Sequence, residues 1–538
     1  MSTDTDVNCA QAARASLERN LLERVCAGDI ITRSAALYGK RIAVVDGQRQ
    51  ISYAEFDREV NALGHALLAL GLKHQDVVAV ASRNSIELLL TYFACARAGL
   101  ICMPLNLALQ PQEILFCLSD AKARVLIAED MLRERLSAVP LQKMLPALQH
   151  LYWFGEGQLP PAEDFAELLA SGSRKPLEVQ VGDRDSVQLL YTSGTTANPK
   201  GVLTSHLAVT MAALSNALAH QFSTEPNTLV VLPLFHCGTL NTIAIPSFLG
   251  GGKLVLCKAA KTFEPQPFAD LLQEHRVEVF ILLPMMYAAL LADPGCMRRT
   301  FPFVRRAIYA MAAMPEALLP KIHGMFPNAD VVLGSGQTEF TPATCLQRSE
   351  HQWSKAGSWG TPTAMTQVAI MDEDGELLPT GAIGEIVYRG PQCMQGYLNQ
   401  PKATQESFAH GWLHSGDMGW MDEDAAIWFI DRLKDIIKSG GENVSSLEVE
   451  RCLLAHPDVA EAAVVGLPHE HWGEAVVAAV LFKDGQSAEE STLLAHCRQR
   501  LSSFKVPKKL VVLDEFPRTG SGKVQKHRLR SQLKQTFA

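Results

Sequence analysis

From Val77 onward, short β-branched or aliphatic runs alternate with longer stretches of helical spacing, and this alternation constrains the fold more than any other feature. The runs at 77–81, 125–128, 229–232, 254–256 and 277–283 predict buried strands. Residues 55–70 and 207–219 carry Leu, Ala and Val at helical spacing, and Gly71 stands where a glycine ends a helix. Strands separated by helices predict an α/β architecture with largely parallel sheets. At 538 residues the chain exceeds what one ordinary core can bury, so two or more domains are expected. After about Thr366 the texture changes. The runs at 368–371, 384–388 and 427–430 are short, with turns such as Asp374-Gly375 between them, as in a small antiparallel β subdomain. A charged junction follows, Asp431-Arg432-Leu433-Lys434-Asp435. Beyond it a compact α+β pattern is expected, with helices at 446–455 and 490–501 and strands at 462–466, 475–482 and 510–513. The boundary is therefore placed between residues 1–431 and 432–538.

Charge and cysteine usage narrow the function. A formal net charge of -8 excludes nucleic acid as the main partner, because a phosphate backbone demands a basic face. A single nucleotide needs only a few placed donors. The 12 cysteines are scattered with no CxxC pair, which argues against a disulfide scaffold or a zinc site and for reduced, buried thiols. Residues 1–13 carry Asp4 and Asp6 and lack the apolar core of a secretory signal. The most apolar stretch, 88–105, is interrupted by Arg97 and predicts a buried helix plus a strand rather than a membrane span. A cytoplasmic protein is expected, and a homodimer is compatible with these features.

The chemistry is concentrated in a few segments. Tyr191-Thr192-Ser193-Gly194-Thr195-Thr196-Ala197-Asn198-Pro199-Lys200-Gly201 follows an apolar run and precedes a helical pattern. Small hydroxyl residues with glycine let backbone N–H groups approach phosphate oxygens, and Lys200 adds charge. The segment is not the GxxxxGK[ST] loop, since Ser or Thr does not follow the lysine. Further on stand Leu232-Pro233-Leu234-Phe235-His236-Cys237-Gly238, Gly334-Ser335-Gly336-Gln337-Thr338-Glu339, Trp412-Leu413-His414-Ser415-Gly416-Asp417, Ser439-Gly440-Gly441-Glu442-Asn443 and Pro517-Arg518-Thr519-Gly520-Ser521-Gly522-Lys523.

Taken in this order, over roughly residues 50 to 530, the segments resemble the adenylate-forming superfamily of acyl-CoA synthetases, firefly luciferase and peptide-synthetase adenylation domains. The resemblance is strongest to fatty-acid–CoA ligases. It implies a large N-terminal lobe of stacked α/β sheets with a β subdomain, and a small mobile C-terminal domain. It implies ATP, Mg²⁺ and coenzyme A as ligands. Thr192, Ser193, Gly194, Thr195, Thr196 and Lys200 would cradle the phosphates, with Thr338. Glu339 would hold the metal, a hard cation that favours oxygen ligands. Asp417 would accept from both ribose hydroxyls, and Arg432 would contact the nucleotide. Lys434 falls at the pivot position and Gly440-Gly441 at the pantetheine tunnel. His236 and Gly334 border the acyl pocket. Lys523 matches the catalytic lysine, which with Thr192 and Glu339 would complete the catalytic set. Two departures stand out: Ser335 replaces a common adenine-stacking aromatic, and Ala197 a usual glycine.

The reaction implied is activation of a carboxylic acid as its acyl-adenylate, then transfer to a thiol, without an enzyme nucleophile. Lys523 is needed in the first step and the Gly440-Gly441 loop in the second. Both lie beyond one junction, so rotation there could exchange them. Amino-acid-activating relatives usually carry Asp where His236 stands, which disfavours an amino acid substrate. The segments 239–243, 310–314 and 333–336 are apolar or small. A medium- or long-chain fatty acid is expected, an aryl acid second, with loading of a carrier protein as the alternative to CoA.

Overall fold

The computed structural model describes residues 2–130, 141–155, 163–192, 199–222, 224–258, 263–310, 314–518 and 524–537. They divide into two compact units. One is drawn from the chain up to Thr192, then to Val368, and from Tyr388–Phe408; the other comprises Ala369–Val387 and the chain from Ala409 on.

The first unit contains two large sheets. One runs Thr361–Pro362, Ala343–Leu346, Asp330–Gly336, Arg306–Ala310, Val279–Leu282, Asn227–Val230, Lys253–Leu256, Ile42–Asp46, Arg49–Ser52. Its middle is parallel, from Asp330–Gly336 through to Ile42–Asp46, and its ends close with antiparallel strands. The other sheet runs Gly396–Tyr397, Lys200–Ser205, Ser186–Thr192, Ile101–Pro104, Val77–Ala81, Val125–Glu129, His150–Phe154, Glu163–Asp164. Val77–Ala81 and its neighbours are parallel, as the aliphatic runs predict for strands buried on both faces.

Helices between these sheets join them in one core. Phe56, Leu63, Leu89, Phe93 and Phe248 pack with Val44 and Leu254 of one sheet and Val78 and Val80 of the other. Tyr53–Ala69 starts with a capping box, Ser52 with Glu55, and Gly71 just past its end has φ +84°. The stretch expected as buried helix plus strand is Ile86–Ala98 followed by Ile101–Pro104, and every residue of that helix is buried. Arg97 is compatible with burial because both terminal nitrogens of its guanidinium are paired: Nη2 donates to Asp57 Oδ1 and Nη1 to Asn61 Oδ1, both at 2.8 Å. No helix of the described residues is long and apolar enough to cross a membrane. Eleven of the twelve cysteines are free thiols, nine of them buried.

The second unit holds most of a four-stranded sheet, Gln367–Met371, Gly384–Arg389, Leu413–Met421, Ile427–Arg432. It also holds the sheet Glu442–Val444, Ile437–Ser439, Gly473–Phe482, Val459–His469, with Lys509–Val512 parallel beside Gly473–Phe482. Helices Ser446–Leu454 and Glu490–Arg498 contribute to an apolar cluster containing Val464, Val476 and Val480, while Lys526–Phe537 supplies Leu529 and Leu533 to the cluster of Val465, Val477 and Phe516. The charged junction is only partly exposed. Asp431 and Arg432 end a strand, and both Asp431 and Asp435 are buried.

Candidate active site

In the first unit the site begins where Ser186–Thr192 pairs with Lys200–Ser205. Thr192 faces Lys200 in register and its hydroxyl donates to the Lys200 carbonyl at 3.4 Å. The preceding Tyr191 donates to Asp120 at 2.8 Å; burial, then that carboxylate, raises its phenol far above the ordinary range. Ser193, Gly194, Thr195 and Thr196 lie outside the described residues.

Lys200 then meets a residue that sequence reasoning missed. Its ammonium sits over the Tyr397 ring, 4.7 Å from the centroid, a cation–π arrangement. The Tyr397 hydroxyl donates to Glu339 Oε1 at 2.9 Å. Tyr397 reaches this place because Gly396–Tyr397 adds to the edge of Lys200–Ser205. Nothing in the spacing of the motifs signals it.

Glu339 is presented by a tight turn after Asp330–Gly336. A Cβ on Gly336 would fall 1.7 Å from the Pro342 carbonyl oxygen, so only glycine permits the close return. Gln337 N–H donates to that carbonyl, and the single 3₁₀ turn Thr338–Phe340 ends at Thr341, with φ +59°. The buried Thr341 hydroxyl donates to the Gln392 carbonyl at 2.7 Å, and Met394 N–H donates to the Glu339 carbonyl. Thr338 and Glu339 are therefore held by backbone on both sides, with side chains half-buried.

His236 and Cys237 follow the strand Asn227–Val230. His236 is exposed, its ring 4.6 Å from that of Phe235; surrounding protein draws the imidazole pKa down, and its contact with water blunts that pull. Cys237 is buried, and its Sγ lies 3.2 Å from Thr338 Oγ1. Burial pushes this thiol up to about 11. The helix beginning at Cys237 continues into a buried π-helical turn, Leu240–Ala244, a distortion common near functional sites. Gly334 lies on Asp330–Gly336 above Ile308 and Leu346. Against the described residues a Cβ there would make only ordinary contacts, 3.6 and 3.8 Å, so their packing does not require this glycine. Ile243, Val332 and Ala310 extend the apolar floor. Of the segment 310–314, residues 311–313 lie outside the described residues.

In the second unit Asp417 and Arg432 face one another across Leu413–Met421 and Ile427–Arg432, with Nε 2.9 Å from Oδ1. Asp417 is buried, its N–H donating to Ser415 Oγ, and Arg432 also reaches the Ser415 carbonyl. Lys434 is exposed in the turn Leu433–Asp435, and its carbonyl accepts from Arg530. Gly440 and Gly441 join Ile437–Ser439 to Glu442–Val444 as a two-residue hairpin. Their φ values, +63° and +86°, are what a type I′ turn requires. The Gly440 N–H donates to the Trp472 carbonyl at 2.8 Å, and a Cβ on Gly441 would meet nothing within 4 Å. Lys523 lies outside the described residues.

The first unit thus brings together Thr192, Lys200, Thr338 and Glu339, and the second pairs Asp417 with Arg432. Among the described residues no cluster of three or more His, Cys, Asp or Glu is placed to hold a metal. A lone carboxylate beside a cation and hydroxyls fits Mg²⁺ that arrives already bound to polyphosphate oxygens.

Residues 31–398 match the family described as AMP-binding enzyme, and 448–523 the one described as AMP-binding enzyme C-terminal domain. A feruloyl-CoA synthase of an Amycolatopsis species is 35% identical, covering 93% of this chain and 97% of its own. The long-chain-fatty-acid–CoA ligase FadD13 of Mycobacterium tuberculosis is 34% identical, covering 90% and 94%. The structure of the o-succinylbenzoate coenzyme A synthetase MenE from Bacillus subtilis, in complex with ATP and a magnesium ion, is similar at a TM-score of 0.81. It is 28% identical and covers 93% of this chain and 99% of its own.

Proposed function

The chain belongs to the AMP-binding enzyme family, and from that premise we propose how its own residues divide an acid–CoA ligase reaction and which acid they take. It is an ATP-dependent, AMP-forming acid–CoA ligase. In the first step a carboxylate oxygen attacks the α-phosphorus of ATP. The bond to pyrophosphate breaks, and the acyl-adenylate forms. In the second, the sulfur of CoA attacks the acyl carbonyl, the bond to AMP breaks, and the thiol proton is released. Catalysis in such a reaction is mainly positioning and neutralisation of charge.

The observation that carries the residue assignment is the chain from Lys200 over Tyr397 to Glu339. It ties the end of the hydroxyl-rich segment to the carboxylate turn. Lys200, Thr192 and Thr338, with Ser193, Gly194, Thr195 and Thr196, take the phosphates. Glu339 takes Mg²⁺, which when bound offsets phosphate charge. Asp417 accepts from the ribose hydroxyls and Arg432 binds beside it. Lys523 enters for adenylation and Gly440-Gly441 for thiol transfer, exchanged by rotation of residues 432–538 about Lys434. Measuring both half-reactions in Lys523→Ala tests this. Adenylation should fall by at least about 100-fold, in line with loss of a transition-state charge partner, while transfer from supplied acyl-adenylate persists. Equal loss of both steps would count against the exchange.

For the acid we favour an apolar monocarboxylate, a medium- or long-chain fatty acid. The floor of Ile243, Ile308, Val332 and Leu346 supports this, as does the likeness to FadD13. An aryl acid is the second reading, supported by the likeness to a feruloyl-CoA synthase. Pyrophosphate release across fatty and aryl acids, with and without CoA, tests both. If no acid supports exchange of labelled pyrophosphate into ATP, the residue assignment fails with the substrate.

A further inference from the structure

Cys237 has no task in the chemistry above, yet it touches that chemistry. Its buried Sγ lies 3.2 Å from Thr338 Oγ1, across 101 residues of sequence. Both partners stand on fixed backbone. The turn before Cys237 is closed by His236 N–H donating to the Pro233 carbonyl and by Thr239 N–H donating to the His236 carbonyl. The Thr338 turn is held through Gln337 to Pro342, and through Thr341 to Gln392. With both backbones held, the S···O approach depends only on the two short side chains.

A threonine hydroxyl rotates about its C–O bond and is both donor and acceptor. To bind a phosphate oxygen it must turn its proton outward. Either atom of the Cys237–Thr338 pair can donate; when the thiol does, it engages a lone pair of the hydroxyl oxygen and leaves the hydroxyl proton directed away from the sulfur. We propose that Cys237 is a positioning residue whose thiol orients the Thr338 hydroxyl toward the polyphosphate of ATP. The proposal rests on the reading of Thr338 as a phosphate ligand. A cysteine that merely filled space would affect stability and not one substrate selectively.

The test uses the full chain with Cys237→Ala, Cys237→Ser, Thr338→Val and the Cys237→Ala/Thr338→Val double variant. Pyrophosphate exchange is measured with ATP and acid varied separately, and thermal midpoints are recorded to establish folding. Losing one weak hydrogen bond should raise the KM for ATP in Cys237→Ala about five-fold, with the KM for the acid within about two-fold. Cys237→Ser, which keeps an O–H donor on the same carbon, should recover most of the loss. The double variant should be no worse than Thr338→Val alone, because the thiol acts through that hydroxyl. A wild-type KM for ATP in Cys237→Ala beside an impaired Thr338→Val would overturn the role of Cys237 alone, as would additive losses in the double variant. An unimpaired Thr338→Val would overturn the phosphate-ligand reading, and this role with it.

Discussion

At the scale of single residues, Gly334 is the most informative position for the acid. Among the described residues, a Cβ there would meet only Ile308 and Leu346, at van der Waals distance. A larger side chain there would therefore start without a clash against the described residues. Gly334→Leu is expected to fold and to shorten the acids accepted, lowering kcat/KM for long acids at least about 10-fold relative to short ones, the discrimination a few methylenes provide. A chain-length profile by pyrophosphate release checks this; an unchanged profile would remove Gly334 from the pocket. Glu339, Asp417 and Lys200 were readable as polar residues in dense motifs, because their residue types already suit phosphate, ribose and metal. Tyr397 was not, since an isolated tyrosine after a glycine carries no such signal.

At the scale of elements, Asp431 connects the end of one strand to the start of the next helix. Its carboxylate accepts from Ser445 Oγ, Ser446 Oγ and Leu447 N–H at the N-terminus of Ser446–Leu454. Lys526 joins the cluster, 2.6 Å from Ser446 Oγ and 2.7 Å from Glu450. An acidic group at a helix N-terminus satisfies donors that the helix itself leaves unpaired. Asp431→Ala strands these buried donors and should cost about 3 kcal/mol locally. Hydrogen exchange of residues 446–454 should then quicken about 100-fold; unchanged protection would show that the cluster contributes little. The helix was legible as part of the compact α+β pattern beyond the charged junction. The cap was not, because Asp431 sits 15 residues before Ser446, its closest hydroxyl partner.

For the whole molecule, two buried histidines make stability depend on pH. Burial pushes His206 down to about 4 and His220 to about 3, and a nearby Arg306 lowers His220 further. His206 Nδ1 accepts the Ala27 N–H at 3.2 Å, which a proton on that nitrogen would forbid. Both folded values lie below the ordinary value near 6.5, so the unfolded chain binds protons first as pH falls. Their contribution is complete above about pH 6.5 and is lost on acidification towards about 4 for His206 and about 3 for His220. By pH 5 each should have lost about 2 kcal/mol. Unfolding measured at pH 7 and pH 5 should show a flatter dependence in His206→Asn, whose amide oxygen can still accept from Ala27. An equal slope would remove His206 from the account.

The sequence by itself determined the α/β texture, the buried helix at Ile86–Ala98 and the family, because strand and helix periodicity and phosphate-binding composition are local properties. Only the tertiary structure decided that Asn227–Val230 lies between Lys253–Leu256 and Val279–Leu282, that Tyr397 bridges Lys200 and Glu339, and that Cys237 meets Thr338. Those neighbours follow from how the sheets close around one shared core, and such packing leaves no periodic trace in the chain.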